Sequence, residues 1–130
     1  MSKRIPSSRS VSRSIALASV TLCLVSTLLP ANMTSAAPLP KRVVDADDYF
    51  LGRAKLENLQ EGVALLRQEV AQNPQSYEGW WRIAKFCNYV GRRTAGDERM
   101  KAFDAGIEAG KKAVLLQPNR VEGHFWLGAN

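Results

Sequence analysis

Apolar side chains recur at helical spacing along most of this chain after residue 46. One continuous stripe with 4-3-4 spacing indicates an amphipathic helix over residues 57–72; it consists of Leu59, Val63, Leu66 and Val70. The same kind of pattern predicts further helices over residues 49–56, 77–90 and 98–116 and from residue 121 onward. Since strand-like alternation of useful length does not occur, the sequence predicts an all-α fold.

Local chemistry marks the ends of these helices. Proline cannot continue a helix and disfavours helical geometry in the residue before it, so Pro74 and Pro118 end the helices that precede them. Ser76 is a suitable N-cap for the helix that follows Pro74. Residues 92–100 are mostly polar and predict a long connection before the fourth helix.

A nine-residue segment recurs 44 residues later in the chain. Residues 73–81 read NPQSYEGWW and residues 117–125 read QPNRVEGHF, with proline, glutamate and glycine at the same places. Each copy follows an apolar helical run. A fixed period of about 20–50 residues is typical of an α-solenoid, in which helical hairpins stack on their neighbours.

Residues 1–36 have the pattern of a secretory signal peptide. Four basic residues and no acid occur there, an uncharged run of fifteen residues covers 15–29, and small residues follow at 34–37. Such a segment directs export and is then removed, and cleavage after Ala36 fits best because Pro38 would directly follow a cut after Ala37. Residues 37–46 then form a linker. The alternative is an uncleaved membrane anchor, although the run is shorter than the roughly 20 residues that span a bilayer.

The charge balance argues against a nucleic-acid partner, and the cysteine content argues against an internal disulfide. The chain has a formal net charge of +6, but the part after residue 36 has 14 basic and 12 acidic side chains, a net of only +2. Neither this balance nor any motif indicates a nucleic-acid partner. Cleavage would leave Cys87 as the one cysteine, so an internal disulfide is excluded.

The sequence lacks the motifs of common catalytic and cofactor sites. A phosphate-binding loop, a nucleophile elbow, paired catalytic carboxylates, CxxC and HExxH are all missing. His124 is the only histidine, and its place in the repeat, equivalent to Trp80, predicts packing against a neighbouring helix. We therefore expect a non-enzymatic protein without a metal or cofactor; an enzyme built on His124 and a carboxylate is the less favoured alternative.

The repeated unit resembles the tetratricopeptide repeat, a helix-turn-helix in which bulky and small residues hold fixed places. The match covers residues 47–130, with a turn about ten residues longer than in the family. The resemblance implies that small residues let helices approach closely while large ones fill the adjacent gaps. The residues at repeat positions are Pro74, Trp80, Ile83, Ala84, Gly91, Gly106, Ala113, Pro118, His124 and Gly128.

Residues 118–130, PNRVEGHFWLGAN, carry a narrower resemblance. An exported helical chain with this segment and a long inserted turn is similar to the T-component (TatT-type) proteins associated with tripartite TRAP transporters. This resemblance implies a periplasmic helical protein that binds the transporter's solute receptor and can shelter an apolar ligand.

Four residues are candidates for a partner or ligand surface. Adjacent residues on a helix point about 100° apart, so one face cannot bury both Trp80 and Trp81. Trp80 is assigned to the core between helices and Trp81 to the next helix pair or the concave face. Packing within or between repeats and an aromatic wall for an apolar ligand or partner helix both remain open; the candidates are Trp81, Arg82, Phe125 and Trp126.

These observations predict an exported helical-repeat scaffold that binds a protein partner in the cell envelope, or an apolar ligand. The alternative is a membrane-anchored envelope assembly factor that keeps its N-terminal segment. Self-association through the aromatic face of the last helix is a further expectation.

Mass spectrometry of the exported protein separates the two forms. A cleaved signal peptide gives a mature N-terminus at Ala37, because the small-residue exit directs cleavage after Ala36. An intact chain recovered from the membrane fraction would instead establish the anchor.

Overall fold

The computed structural model describes residues 37–130, and this part of the chain folds into five α-helices without a strand. The prediction of an all-α fold is confirmed for these residues, while the predicted signal peptide lies outside them. No helix among them is both long and apolar enough to cross a bilayer. The helices are α1 (Lys41–Leu51), α2 (Leu56–Gln72), α3 (Tyr77–Gly91), α4 (Gly96–Leu116) and α5 (Val121–Ala129).

The proline-based helix ends lie where the sequence places them. Helix α2 stops at Gln72, before Asn73 and Pro74, and α4 stops at Leu116, before Gln117 and Pro118. The predicted N-cap of α3 is confirmed, because the Ser76 hydroxyl accepts a hydrogen bond of 3.2 Å from the Gly79 amide. Each of these ends follows from chemistry within a few residues of the boundary.

The first helix lies earlier than the sequence indicates. The predicted helix over residues 49–56 and the predicted linker over residues 37–46 are both wrong in position, because α1 begins at Lys41, directly after Pro40, and ends at Leu51. Val43 and Ala46, three residues apart on this helix, are fully buried in the core. The helix therefore presents Val43 and Ala46 to the core, and the acids at residues 45–48 lie within it and not at its start.

The connection between α3 and α4 is short. The predicted long turn is wrong, because only residues 92–95 separate the two helices and the remaining residues lengthen α4 to 21 residues. Gly96 has a φ of 57°, in the left-handed region that favours glycine, where the chain enters α4. The inserted turn therefore no longer supports the resemblance to the T-component proteins.

Helix α3 lies at the centre of the bundle. It packs against each of the other four helices, while α2 and α4 make no comparable contact with each other. Of the residues at repeat positions, Trp80 is half-buried and five are buried: Ile83, Ala84, Gly91, Gly106 and Ala113. The largest fully buried side chain is Phe86 of α3, which lies against Gly62 of α2.

Helices α4 and α5 approach closely at two glycines. A Cβ added at Gly110 would lie 2.8 Å from the Leu127 Cα, and one added at Gly123 would lie 3.2 Å from the Ala113 Cβ. Gly128 is different, because a Cβ at this repeat position would meet nothing within 4 Å. The close approach therefore requires small residues at 110 and 123 but not at 128.

A pair of glycine substitutions tests this packing. We expect Gly110→Ala to destabilise the protein by about 1–3 kcal/mol, because the new methyl group meets the α5 backbone. Gly128→Ala adds the same methyl group in open space near the end of α5, so it should leave the free energy of unfolding equal or slightly higher. Urea denaturation of both variants measures the difference, and equal effects would contradict the close approach.

Candidate functional site

One side of α3 carries a polar and aromatic stripe that contacts both α1 and α5. The stripe has 4-3-4 spacing and consists of Glu78, Arg82, Lys85 and Tyr89. Hydrogen bonds, ion pairs and ring contacts link it to Asp47 and Phe50 of α1 and to Trp126 of α5. We call this surface the α1–α3–α5 face.

Ion pairs join three segments across this face. The Arg82 guanidinium donates from Nε to both Asp47 carboxylate oxygens at 3.0 Å and from Nη1 to Glu78. Glu78 also accepts from Arg120 at 3.1 Å, and Arg120 donates to Glu122 at 2.7 Å. Arg82 is one of the four predicted surface residues, but it is only 7% exposed and is bound by acids from two helices.

A tyrosine hydroxyl fastens α5 to α3 at the end of this network. The Tyr77 hydroxyl donates to Glu122 at 3.1 Å and accepts from the Gly123 amide at 3.2 Å. The hydrogen bond from Arg120 is the main cause that lowers the pKa of Glu122 to about 2. Burial raises the pKa of Tyr77 above its ordinary value. These groups hold α5 against α3.

Aromatic rings continue the face from α1 to α5. Tyr89 lies between Phe50, at 4.9 Å between ring centroids, and Trp126, at 6.2 Å. Phe125 meets Trp126 edge-on at 4.9 Å and is 61% exposed. Of the predicted surface residues, Trp126 is therefore largely used in packing, while Phe125 remains available to a partner.

Cations cover the remaining aromatic surface of this face. The Arg82 guanidinium lies 4.2 Å from the Trp81 ring centroid, and Lys85 Nζ lies 3.6 Å from that of Phe50. Burial is the main cause that lowers the pKa of Lys85, and the charge of Arg82 adds to it, whereas Asp47 opposes it. Trp81 also donates to Glu78 at 2.9 Å. The chain thus covers much of Trp81 itself, which is only partly exposed.

His124 does not pack as predicted. It is exposed, and its Nε2 lies 2.8 Å from the Pro118 carbonyl oxygen. Trp80, at the equivalent repeat position, donates its indole N–H to the Pro74 carbonyl at the same 2.8 Å. The equivalence predicted from the repeat therefore holds for a hydrogen bond to the preceding proline, not for burial.

The opposite side of α3 carries a cavity that the sequence analysis did not identify. Two adjoining pockets of about 460 and 240 Å³ share Arg67 and Ala105 and lie between α2 and α4. We call this feature the trough. Its floor is formed by residues of α3: Trp80, Ile83, Cys87 and Val90.

Small side chains leave the trough open. Helix α4 faces it with alanines at 3-4 spacing, Ala102, Ala105 and Ala109, so this wall has little bulk to fill the space between α2 and α4. This alanine series, flanked by lysines on one helix face, is the signal in the sequence that could have indicated a groove. Predicting a groove from this series also requires knowing that α2 lies opposite α4.

Basic side chains dominate the edges of the trough. Arg67, Lys101 and Lys112 line it, and none of them forms an ion pair within residues 37–130. The one acid in the lining, Glu108, is bound by Lys111 at 2.8 Å, which lowers the pKa of Glu108. Burial raises the pKa of the Cys87 thiol to about 11, so this floor residue is uncharged at neutral pH. The trough can therefore receive an apolar surface that carries negative charge beside it.

The part of the chain that the structure describes contains no group of three or more His, Cys, Asp or Glu residues placed to hold a metal ion. Comparison with protein-family models, curated proteins and solved structures finds no match to this chain. Function is therefore inferred from the trough, from the α1–α3–α5 face and from the resemblances stated above.

The Arg120–Glu122 pair predicts a pH dependence of stability. The folded-state pKa of Glu122, about 2, lies below its ordinary value of 4.5. The carboxylate therefore contributes stability that is fully present above about pH 5 and is lost as the pH falls toward 2. We expect the free energy of unfolding to fall less over this range in Glu122→Gln than in the wild type.

Urea denaturation at a series of pH values measures this difference. Arg120→Gln should reduce the same acid-range dependence, because Arg120 is the main cause of the lowered pKa. Identical pH profiles in all three proteins would contradict the assigned pair.

Proposed function

We propose that this protein is an exported helical-repeat scaffold without catalytic activity, which binds a protein partner in the cell envelope. The observation that supports this most directly is the trough, an apolar groove about three helical turns long with basic residues along both walls. Grooves between helices are a common way to receive a partner's amphipathic segment.

The more specific proposal is that the partner is the solute receptor of a TRAP transporter. It rests on the resemblance of residues 118–130 to the T-component proteins. Helix α5 lies within this segment, and its Phe125 and Val121 are strongly exposed. These two side chains stand four residues apart on one helix face, which suits contact with another protein. The same two residues are where a second copy of this chain would associate.

An apolar small molecule is a second candidate for the trough. The larger pocket, about 460 Å³, is within the size range of ligand-binding cavities, and its lining is mainly apolar. The three unpaired basic residues favour the protein partner, since a neutral ligand leaves their charges without a counterpart.

The N-terminal pattern in residues 1–36 supports export to the envelope. A membrane-anchored assembly factor is the alternative, and it differs only in whether these residues are retained. In both forms the trough would face the same compartment as the partner.

Affinity capture from a periplasmic extract of the native host tests the proposal. We expect the wild-type protein to enrich a solute-binding receptor, and Ala105→Trp to lose this enrichment because the indole fills the junction between the two pockets. Quantitative mass spectrometry of the captured proteins provides the readout. Arg92→Glu, an exposed change that does not line the trough, is the matched control and should capture like the wild type.

Two results would count against this function. If no receptor is enriched over a mock column, the TRAP-specific proposal fails. If Ala105→Trp, folded by circular dichroism, captures the receptor as well as the wild type, the trough is not the binding surface.

A further inference from the structure

The trough has the length of a short helix. Its floor extends along α3 from Trp80 to Val90. Ten residues of helix rise about 15 Å, which is close to three helical turns. A partner helix of about ten residues would therefore lie along the whole floor and place apolar side chains at i, i+3 or i+4, and i+7 on it.

The basic residues are spread along the trough instead of being gathered at one end. Lys101 and Lys112 stand eleven residues apart on α4, which corresponds to about 16 Å along its axis, and Arg67 stands on α2 where the two pockets meet. Glu108 is bound by Lys111, and the charge of Lys112 also contributes to lowering its pKa, but none of the three basic residues forms an ion pair in the part of the chain that the structure describes. This distribution matches acidic side chains on several successive turns of a helix, whereas a fatty acid carries a single charge at one end.

The composition of the N-terminal segment argues against that segment as the occupant. Residues 1–36 contain four basic residues and no acid, so they would bring like charge to the edges of the trough. That segment is therefore a poor occupant, whereas an acidic segment of a partner protein fits the charge of the trough.

We infer that the trough binds an acidic amphipathic α-helix of a partner protein, with the helix's apolar stripe on the α3 floor and its flanking carboxylates beside Arg67, Lys101 and Lys112. This inference rests on the proposed protein-binding function and specifies the partner segment. The alanine wall of α4 lets the partner backbone approach closely, as small residues do between packed helices. Affinity should fall with added salt because the charged contacts lie at exposed edges.

Synthetic peptides test the inference on the full chain purified after export. The probe is a fluorescein-labelled 14-residue helical peptide with leucines at i, i+3, i+7 and i+10 and glutamates on both sides of this stripe. Its twin has every glutamate replaced by lysine. Fluorescence anisotropy should show that the acidic peptide binds at least about tenfold more tightly than the basic one.

Charge reversal locates the binding in the trough. We expect Arg67→Glu/Lys112→Glu to weaken the acidic peptide by about tenfold or more and to improve binding of the basic peptide. Lys55→Glu/Arg92→Glu makes the same change in net charge at exposed residues outside the trough and should stay within about twofold of the wild type. These substitutions are at exposed side chains, so they inform on binding even if Ala105→Trp fails to fold.

Three outcomes would overturn the inference: equal affinity for the two peptides, an equal effect of the two double reversals, or no binding of the acidic peptide. Tight binding of a fluorescent fatty acid that Ala105→Trp abolishes, without peptide binding, would assign the trough to a lipid. Capture of a receptor without peptide binding would leave the proposed function standing and reject the acidic helix. Peptide binding without a captured receptor would reject the TRAP partner alone.

Discussion

Both surfaces of this protein depend on how Phe86 of α3 is placed against Gly62 of α2. A Cβ at residue 62 would lie 2.2 Å from Phe86 Cε1, so only glycine lets the two helices approach to this distance with the ring fully buried between them. The same ring lies 5.1 Å from Phe50 and so brings α1 into the same packing unit. With α3 fixed in this way, one side contacts α1 and α5 and the other forms the floor of the trough.

The parts of the fold that depend on local chemistry could be predicted from the sequence. Pro74, Ser76 and Pro118 set helix ends through the geometry of their own backbone or side chain. The position of α1 could not be predicted in this way. Acidic residues at 45–48 resemble a helix start, whereas Val43 and Ala46 of the actual helix are buried in a core formed with segments distant in the sequence. The short connection after α3 was missed for a similar reason: the polar sequence of residues 92–100 continues into an exposed helix.

The candidate site was predicted less well, because exposure depends on residues far away in the sequence. Arg82 is charged and follows two tryptophans, yet Asp47, 35 residues earlier, removes it from solvent. The trough is formed by α2, α3 and α4 together. Its lining residues Arg67, Cys87 and Lys101 come from three different helices, so the periodicity of any one helix does not bring them together. Periodicity along one helix identifies its buried face, but it does not show where two neighbouring helices leave a gap.

The two copies of the repeated segment share one hydrogen bond but differ in the size of the side chain that makes it. Trp80 and His124 differ greatly in bulk, yet each contacts the carbonyl of the proline six residues earlier. A carbonyl oxygen only accepts, so Nε2 of His124 is the donor in this hydrogen bond. The shared requirement is an N–H that closes the proline turn. The additional bulk of Trp80 is not needed for that bond, and it lies in the trough floor, where it adds apolar area for a partner.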